Sequence, residues 1–240
     1  MKHYRHLFFD LDHTLWDFQA NSREVLGELS RELLDGRYHL EPDEFIRTYE
    51  EVNGALWRQL DGGIIPKEVL RALRFKETLA RFGIEDGGLA RRLEEQYMER
   101  TPRRARLMPG AIALLQDLRP AYHLHIITNG FTGTQALKLR CSGIRDFFEV
   151  VLTSEMAGAS KPSARIFRHA LRSAGARAGE SLMIGDNAEA DVAGGRNAGM
   201  DQVHFAPMGD ADPQATYRIR NLDDLRPILL PGINKAGNGR

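Results

Sequence analysis

The sequence contains very little cysteine, no long apolar run and no excess of either charge. Cys141 is the one cysteine in 240 residues, which excludes an internal disulfide and a cysteine-based metal cluster. We expect a reducing, cytoplasmic setting, with Cys141 as a small buried side chain. No apolar stretch approaches the roughly 20 residues that a membrane-spanning helix needs, so we expect no membrane partner.

The charges of the chain balance, with 33 Lys and Arg against 33 Asp and Glu and a formal net charge of zero. A balanced chain exerts no long-range attraction on a nucleic-acid polymer or an anionic membrane, and we expect neither as a partner. Near the amino terminus a short apolar run is interrupted by Asp10 and Asp12, which is not the pattern of a signal peptide. Residues 235–240 are polar and contain glycine, which predicts a disordered tail.

Two patterns divide the chain. From about residue 108 onward, short apolar strands alternate with helical stretches, which predicts an α/β fold with a parallel sheet covered on both faces. Residues 18–107 are charged, helical and poor in strand signals, and Asn21 with Glu24 has the spacing of a helix capping box. The sequence therefore predicts an α/β core, residues 1–17 and 108–234, interrupted after its first strand by an all-helical insertion, residues 18–107.

Polar side chains follow four of the predicted strands. They are Asp10 and Asp12; Thr128, Asn129 and Gly130; Lys161; and Asp186 and Asp191. Each group alone is explained by turn or helix-cap chemistry. Together they indicate a functional site, because the carboxyl ends of parallel strands meet at one edge of a sheet.

The residue types in this set favour phosphoryl transfer through a covalent enzyme intermediate. Clustered carboxylates without His or Cys suit Mg²⁺, which would offset their mutual repulsion. One amino-terminal acid would attack phosphorus, and the other would donate a proton to the departing alkoxide and later take one from water. Lys161 and Thr128, with nearby backbone N–H groups, would stabilise the phosphoryl oxygens.

Four segments, "FDLDHTL", "ITNG", "SKP" and "GDNAEAD", resemble in this order the four motifs of the haloacid dehalogenase superfamily. The resemblance implies a Rossmann-like core and identifies the helical insertion as a type-1 cap domain. It also implies that Asp10 is the nucleophile that becomes an aspartyl phosphate. Asp12 would be the general acid and base, and its backbone carbonyl a Mg²⁺ ligand.

The resemblance extends to the other motif residues. Thr128, Asn129 and Gly130 would hold the phosphoryl group, and Lys161 would steady Asp10 and the phosphate. Asp186 would bind Mg²⁺, and Asp191 would support the metal or Lys161 from behind the direct ligands. Dehalogenases of the superfamily lack the second acid, so the presence of Asp12 favours a phosphatase. His13 departs from the family pattern, because many members have glycine there.

A narrower resemblance concerns the substrate. The strings "DLDHTLWDFQANS" and "LWRQLDGGIIPKEVLRALRF" are similar to the pyrimidine 5′-nucleotidases. They predict a small phosphate monoester, a pyrimidine nucleoside 5′-monophosphate, as the substrate. A sugar phosphate, phosphoglycolate, an acylneuraminate 9-phosphate and phosphomutase chemistry stay open, as does the oligomeric state.

Other classes of function are also open at this stage. A signalling receiver domain gathers acids, a Thr and a Lys around a phosphorylated Asp, and an idle family member could serve only in binding. In the insertion and just before it, four aromatic side chains could stack on a base, although packing inside the protein is favoured: Trp16, Phe18, Tyr49 and Trp57. Arg71 and Arg74 share a helical face that would contact either a nucleotide or solvent.

Overall fold

The computed structural model describes residues 3–230, and the predicted tail 235–240 lies outside this range. Contacts divide the chain into two units. One contains the chain up to Asp17 and again from Ala105, and the other is Phe18–Arg104. Residues 105–107 belong to the first unit because Leu107 pairs with Trp16, and Met108 donates its N–H to the Leu15 carbonyl at 2.9 Å.

The first unit is built on a six-stranded sheet. Its strands are His6–Phe9 (β1), His123–Thr128 (β2), Val150–Thr153 (β3), Ser181–Gly185 (β4), Asp201–Phe205 (β5) and Tyr217–Ile219 (β6). Every neighbouring pair is parallel, in the order β3-β2-β1-β4-β5-β6. All four residues of β1 and all five of β4 are buried, as expected for central strands covered on both faces. The predicted α/β, Rossmann-like fold class is confirmed.

Helices of residues 3–230 account for most of the remaining regular structure. In chain order they are Phe18–Leu33 (α1), Pro42–Asp61 (α2), Lys67–Ala80 (α3), Gly87–Arg100 (α4), Ala111–Leu118 (α5), Thr132–Cys141 (α6), Ser154–Ala157 (α7), Ala164–Ser173 (α8), Gly194–Asn197 (α9) and Leu225–Leu229 (α10). A π-helix, Ala188–Ala193, leads directly into α9. Among these helices none is long and apolar enough to cross a bilayer.

The order of the strands determines where a site can form. β1 lies between β2 and β4, and the chain goes outward from β1 to β2 and β3 before it returns to β4 on the other side. Phe9 is in register with Ile126 of β2 and with Ile184 of β4. Asp10 therefore leaves the sheet at the point where the direction of winding reverses, which is the usual position of a ligand site in such sheets.

The second unit consists of α1–α4 around its own apolar core, which includes Phe45, Tyr49, Phe75 and Leu93. Tyr49 is fully buried there, so it packs inside the unit. Arg74 does not lie on the solvated or nucleotide-facing surface considered from the sequence, whereas Arg71 is exposed to solvent. Both donate to Glu94, and the Arg74 side chain is buried with two bonds of 2.6 and 2.9 Å, which tie α3 to α4.

Two local predictions are wrong. The helix predicted to begin at Asn21 begins at Phe18, so Asn21 and Ser22 lie inside α1. Both are buried, and the Ser22 hydroxyl is 2.8 Å from that of Tyr97, so tertiary contacts replace the predicted cap. Cys141, expected to be buried, is exposed at the last position of α6.

Candidate active site

Asp10 is the first residue after β1, and it is held in place by both its backbone and its side chain. Its N–H donates to the Ile184 carbonyl at 2.9 Å, which continues the pairing with β4 beyond the strand. The buried Lys161 ammonium donates to Asp10 Oδ1 at 2.5 Å and to Asp191 Oδ1 at 2.6 Å. Lys161 thus links two of the acids that the sequence placed in one site.

Asp10, Asp186 and Asp191 form an acidic cluster in which one carboxylate oxygen of each lies within 4.8 Å of the others. Burial raises the pKa of Asp10 well above its usual value, and the charges of Asp191 and Asp186 add to this against the opposing charge of Lys161. Burial and the Asp191 charge also raise the pKa of Asp186. A set of hard oxygen donors with excess negative charge fits Mg²⁺.

Two features of the β4 end fix Asp191 in this cluster. A Cβ on Gly185 would lie 2.2 Å from Asp191 Oδ2, so the absence of a side chain at residue 185 makes room for the carboxylate. The same oxygen accepts from the Asn187 N–H at 3.1 Å, and the Asn187 side chain accepts from the N–H groups of Glu189 and Ala190. These hydrogen bonds form the turn after β4 and account for the spacing between Gly185 and Asp191 in "GDNAEAD".

Asp12 lies in a different environment from Asp10. Its carboxylate accepts from Lys138 Nζ at 2.5 Å and from Gln135 Nε2 at 2.8 Å, and both donors lie on α6. Burial alone would raise the pKa of Asp12, but the charge and hydrogen bond of Lys138 with the Gln135 hydrogen bond outweigh it and lower the pKa. The Asp12 side chain is not part of the acidic cluster, and its carbonyl as a Mg²⁺ ligand stays a prediction.

Thr128 and Asn129 of the "ITNG" segment at the end of β2 make different contacts. Thr128 Oγ1 accepts from Gln135 Nε2 at 2.7 Å and from the Gly130 N–H at 3.1 Å, so its own hydrogen is left to donate elsewhere. The Asn129 side chain donates to the Lys161 carbonyl and accepts from the Lys161 N–H, at 3.1 and 2.8 Å. Asn129 therefore fixes the segment that carries Lys161, while phosphate binding by Asn129 and Gly130 stays a prediction.

The loop after Asp12 explains why glycine is favoured at the position that His13 occupies. His13 has a φ of 63°, in the left-handed region where glycine is favoured, and its N–H donates to the Trp16 carbonyl at 2.9 Å. A non-glycine residue costs on the order of 1 kcal/mol in this region. Trp16 is fully buried in the first unit, so it does not present an exposed face to a base.

Three residues of the site were missed from the sequence. The buried Thr14 hydroxyl donates to Asp186 Oδ1 at 3.2 Å, and Gln135 and Lys138 bind Asp12 as described above. Gln135 and Lys138 lie three positions apart and therefore share a helix face. Both polar side chains are buried, but burial of that face cannot be read from the sequence alone.

Comparisons with known proteins agree with this geometry. The family model of haloacid dehalogenase-like hydrolases matches residues 4–199. Pyrimidine 5′-nucleotidase YjjG of Escherichia coli is 32% identical over 93% of this chain and 96% of its own. Pyrimidine 5′-nucleotidase PynA of Streptococcus pneumoniae is 34% identical over 96% of this chain and 97% of its own. Further relatives are named as phosphatases of other monoesters.

A solved structure matches most of the chain. The magnesium-bound crystal structure of the HAD-hydrolase YfnB from Bacillus subtilis, in which interdomain movement is reported, superposes with a TM-score of 0.85. It is 35% identical to this chain and covers 95% of this chain and 99% of that one. The chain belongs to the haloacid dehalogenase-like hydrolases.

Proposed function

We propose that the protein is a Mg²⁺-dependent phosphatase that hydrolyses small phosphate monoesters through an aspartyl phosphate on Asp10. The observation that carries the proposal is the separation of the two acids. Asp10 is buried against Lys161 and the acidic cluster, whereas Asp12 is held by Lys138 and Gln135 with its side chain 24% exposed. Two acids in such different surroundings are suited to two different tasks.

In the first half of the reaction, a carboxylate oxygen of Asp10 attacks phosphorus and the bond from phosphorus to the leaving oxygen breaks. Asp12 gives a proton to the departing alkoxide, so the alcohol leaves neutral. The Thr128 hydroxyl and the Lys161 ammonium stabilise the negative charge of the phosphoryl oxygens. The pairing of Lys161 with Asp10 and Asp191, which raises the pKa of Lys161 against the effect of burial, keeps its ammonium charged.

In the second half, water attacks the phosphorus of the aspartyl phosphate. Asp12, now ionised, takes a proton from that water, and the bond between phosphorus and the Asp10 oxygen breaks. Inorganic phosphate leaves and the Asp10 carboxylate is restored. Asp10 and Asp186 would hold Mg²⁺ with Asp191 behind them, and the ion supplies positive charge that offsets repulsion between the carboxylates and the incoming phosphate.

As substrate we propose a pyrimidine nucleoside 5′-monophosphate. The two relatives named as pyrimidine 5′-nucleotidases support it, and so do the two longer sequence segments that resemble that group. The helical unit Phe18–Arg104 would act as the cap that selects the leaving group. The cytoplasmic location expected from the sequence stays a prediction.

The test is phosphate release with Mg²⁺ across UMP, dUMP, dTMP, AMP, phosphoglycolate, a sugar phosphate and an acylneuraminate 9-phosphate. EDTA and Asp10→Asn should abolish release. Asp146→Asn makes the same chemical change at an exposed residue of the first unit and should leave release unchanged. Preference for the pyrimidine monophosphates supports the nucleotidase assignment, whereas activity on sugar phosphates alone keeps the chemistry and contradicts the substrate. Release by Asp10→Asn at the wild-type rate would contradict the mechanism.

A further inference from the structure

We propose that Lys138 and Gln135 are positioning residues, which hold the Asp12 carboxylate for proton transfer and orient the Thr128 hydroxyl toward the phosphoryl group. The proposal rests on the phosphatase function proposed above and extends it to a helix face outside the four sequence motifs. Both residues lie on α6, and both are buried beside the site.

The surroundings of Lys138 leave its ammonium little freedom. The side chain is 5% exposed, and Nζ lies 2.5 Å from Asp12 Oδ1. On another side Nζ lies 4.3 Å from the centre of the Trp16 ring, a cation–π distance. Trp16 is itself paired with Asp12 through a backbone bridge. The backbones that carry the indole and the carboxylate are therefore fixed to each other, and the ammonium lies against both side chains.

Gln135 connects Asp12 with Thr128. A primary amide has two N–H donors, and Gln135 Nε2 uses them on Asp12 Oδ2 at 2.8 Å and on Thr128 Oγ1 at 2.7 Å. The amide cannot be turned over, because its oxygen would then face the carboxylate. In this orientation Oε1 is buried, and no hydrogen-bond partner for it lies among residues 3–230. The contacts of Gln135 with Asp12 and Thr128 are therefore kept at the cost of an acceptor without a partner among these residues.

Gly130 makes this arrangement sterically possible. A Cβ on residue 130 would lie 2.2 Å from Gln135 Nε2 and 2.4 Å from its Cδ, so the side chain of Gln135 occupies the space that any other residue type would fill. The glycine of "ITNG" is thus matched to a glutamine five residues later. Gly130 and Gln135, which look unrelated in the sequence, therefore belong to one arrangement of side chains.

The oxygens of Asp12 and Thr128 keep hydrogen-bonding capacity that the reaction can use. Each Asp12 oxygen accepts one bond from α6 and retains capacity for a second, so the carboxylate is fixed while it can still exchange a proton with the leaving oxygen or with water. Thr128 Oγ1 receives bonds from Gln135 and Gly130, which leaves its hydrogen to donate to the phosphoryl group. One helix face therefore orients both the proton carrier and a phosphate donor.

The experiment compares wild-type protein with Lys138→Met, Gln135→Met and Lys138→Arg in the presence of Mg²⁺. Arg140→Met is the matched control, since it removes a positive charge from an exposed position of the same helix. Each protein is assayed with an alkyl monoester that the wild type hydrolyses and with p-nitrophenyl phosphate. The second substrate has a leaving group that departs without a proton, so Asp12 is needed only for the attack of water.

We expect Lys138→Met to release the first equivalent of p-nitrophenol at nearly the wild-type rate. In Gln135→Met this first release should slow, because Thr128 also loses a partner, but by less than the steady-state turnover. Steady-state turnover should then fall about ten-fold or more, because positioned proton transfer contributes roughly a hundred-fold or more. With the alkyl ester both steps need Asp12, so turnover should fall without a burst. Lys138→Arg should recover part of the loss, and Arg140→Met should behave as wild type. Added to Asp12→Asn, Lys138→Met should cause no further loss.

Three results would overturn the proposal. One is an equal loss in the burst and in the steady state, which marks a general structural effect. Another is unchanged turnover in both Lys138→Met and Gln135→Met, and the third is a full multiplicative loss when Lys138→Met is added to Asp12→Asn. If either Lys138→Met or Gln135→Met does not fold, the burst and steady-state rates of the other variant test the proposal. A wild-type protein that releases neither phosphate nor p-nitrophenol contradicts the phosphatase function itself, and the positioning role with it.

Discussion

Each of the two amino-terminal acids is paired with its own lysine. Asp10 binds Lys161 from the segment after α7, and Asp12 binds Lys138 from α6, both at 2.5 Å. The local charge differs because Asp10 also lies among Asp186 and Asp191. At the residue scale, the reactivity of the two acids is determined by their neighbours, since the carboxyl groups themselves are identical.

Gly130→Ala tests the steric part of the site. The added Cβ would meet Gln135 Nε2 at 2.2 Å, so Gln135 must leave Asp12 or Thr128. We expect phosphate release to fall by about ten-fold, which is less than the roughly hundred-fold that a positioned proton-transfer group contributes, because Lys138 still holds Asp12. Gly133→Ala is the control, because a Cβ there would have no atom within 4 Å. Equal kcat in Gly130→Ala and wild type would contradict the account.

The sequence predicts the acids and Lys161 more readily than the residues that support them. Asp10, Asp186 and Lys161 follow apolar strands, and sheet geometry brings strand ends together whatever the rest of the fold does. Gln135 and Lys138 reach Asp12 only because α6 packs against the loop after β1. The spacing of residues within α6 does not reveal this packing. Cys141 and Asn21 were misplaced for the same reason, because tertiary contacts decide which face of a helix is buried.

At the scale of the elements, β1 and β2 share a stack of histidines on one face of the sheet. The ring of His6 lies 5.0 Å from that of His123 and 5.4 Å from that of His125. His6 Nδ1 and His125 Nε2 are 3.1 Å apart, and His125 is fully buried. Burial, followed by the charge of His6, lowers the pKa of His125 to about 4.

This stack predicts a loss of stability in acid. The unfolded chain binds a proton at His125 below about pH 6.5, whereas the folded protein does so only near pH 4. The contribution of His125 is therefore complete above pH 6.5 and is lost as the pH falls toward 4, by about 3 kcal/mol at most. Burial and the charge of His123 also lower the pKa of His6, which acts in the same direction.

The measurement is urea unfolding of wild type and His125→Phe at several pH values between 7 and 4.5. Phe keeps a ring between Phe8 and His6 but binds no proton. We expect the stability difference between the two proteins to shift in favour of His125→Phe as the pH falls. His169→Phe, at a half-buried position of α8, is the control for the loss of a histidine outside the stack. Parallel curves for His125→Phe and wild type would contradict the prediction.

At the scale of the whole molecule, two units with separate cores are joined at Asp17–Phe18 and Arg104–Ala105. The sequence predicts a division after residue 17 and another after residue 107, because the strand pattern stops after β1 and resumes only after the helical segment. The small edge strand β6, Tyr217–Ile219, was not predicted, because three residues with a central Arg are too few to show the alternation of apolar and polar side chains that indicates a strand. Helix α5 was also missed.

Metal binding should raise the stability of the whole protein. The acidic cluster concentrates negative charge in the folded state, and a ligand that binds only that state stabilises it by about 2.7 kcal/mol at a hundred times its Kd. We expect MgCl₂ to raise the Tm of wild type and of Asp146→Asn, and to have a much smaller effect on Asp186→Asn. A Tm independent of MgCl₂ in wild type, or an equal rise in Asp186→Asn, would count against the metal site.

The most direct test of the account is the covalent intermediate on Asp10. In Asp12→Asn, p-nitrophenyl phosphate should still transfer its phosphoryl group, but water should attack slowly, so the intermediate should accumulate. The protein is quenched in acid during turnover and its peptides are analysed by mass spectrometry. The account predicts one phosphoryl group on the peptide that contains Asp10, and none when Asp10→Asn is added. Phosphate release in wild type with no phosphorylated peptide in Asp12→Asn, or with the group on another residue, would contradict it.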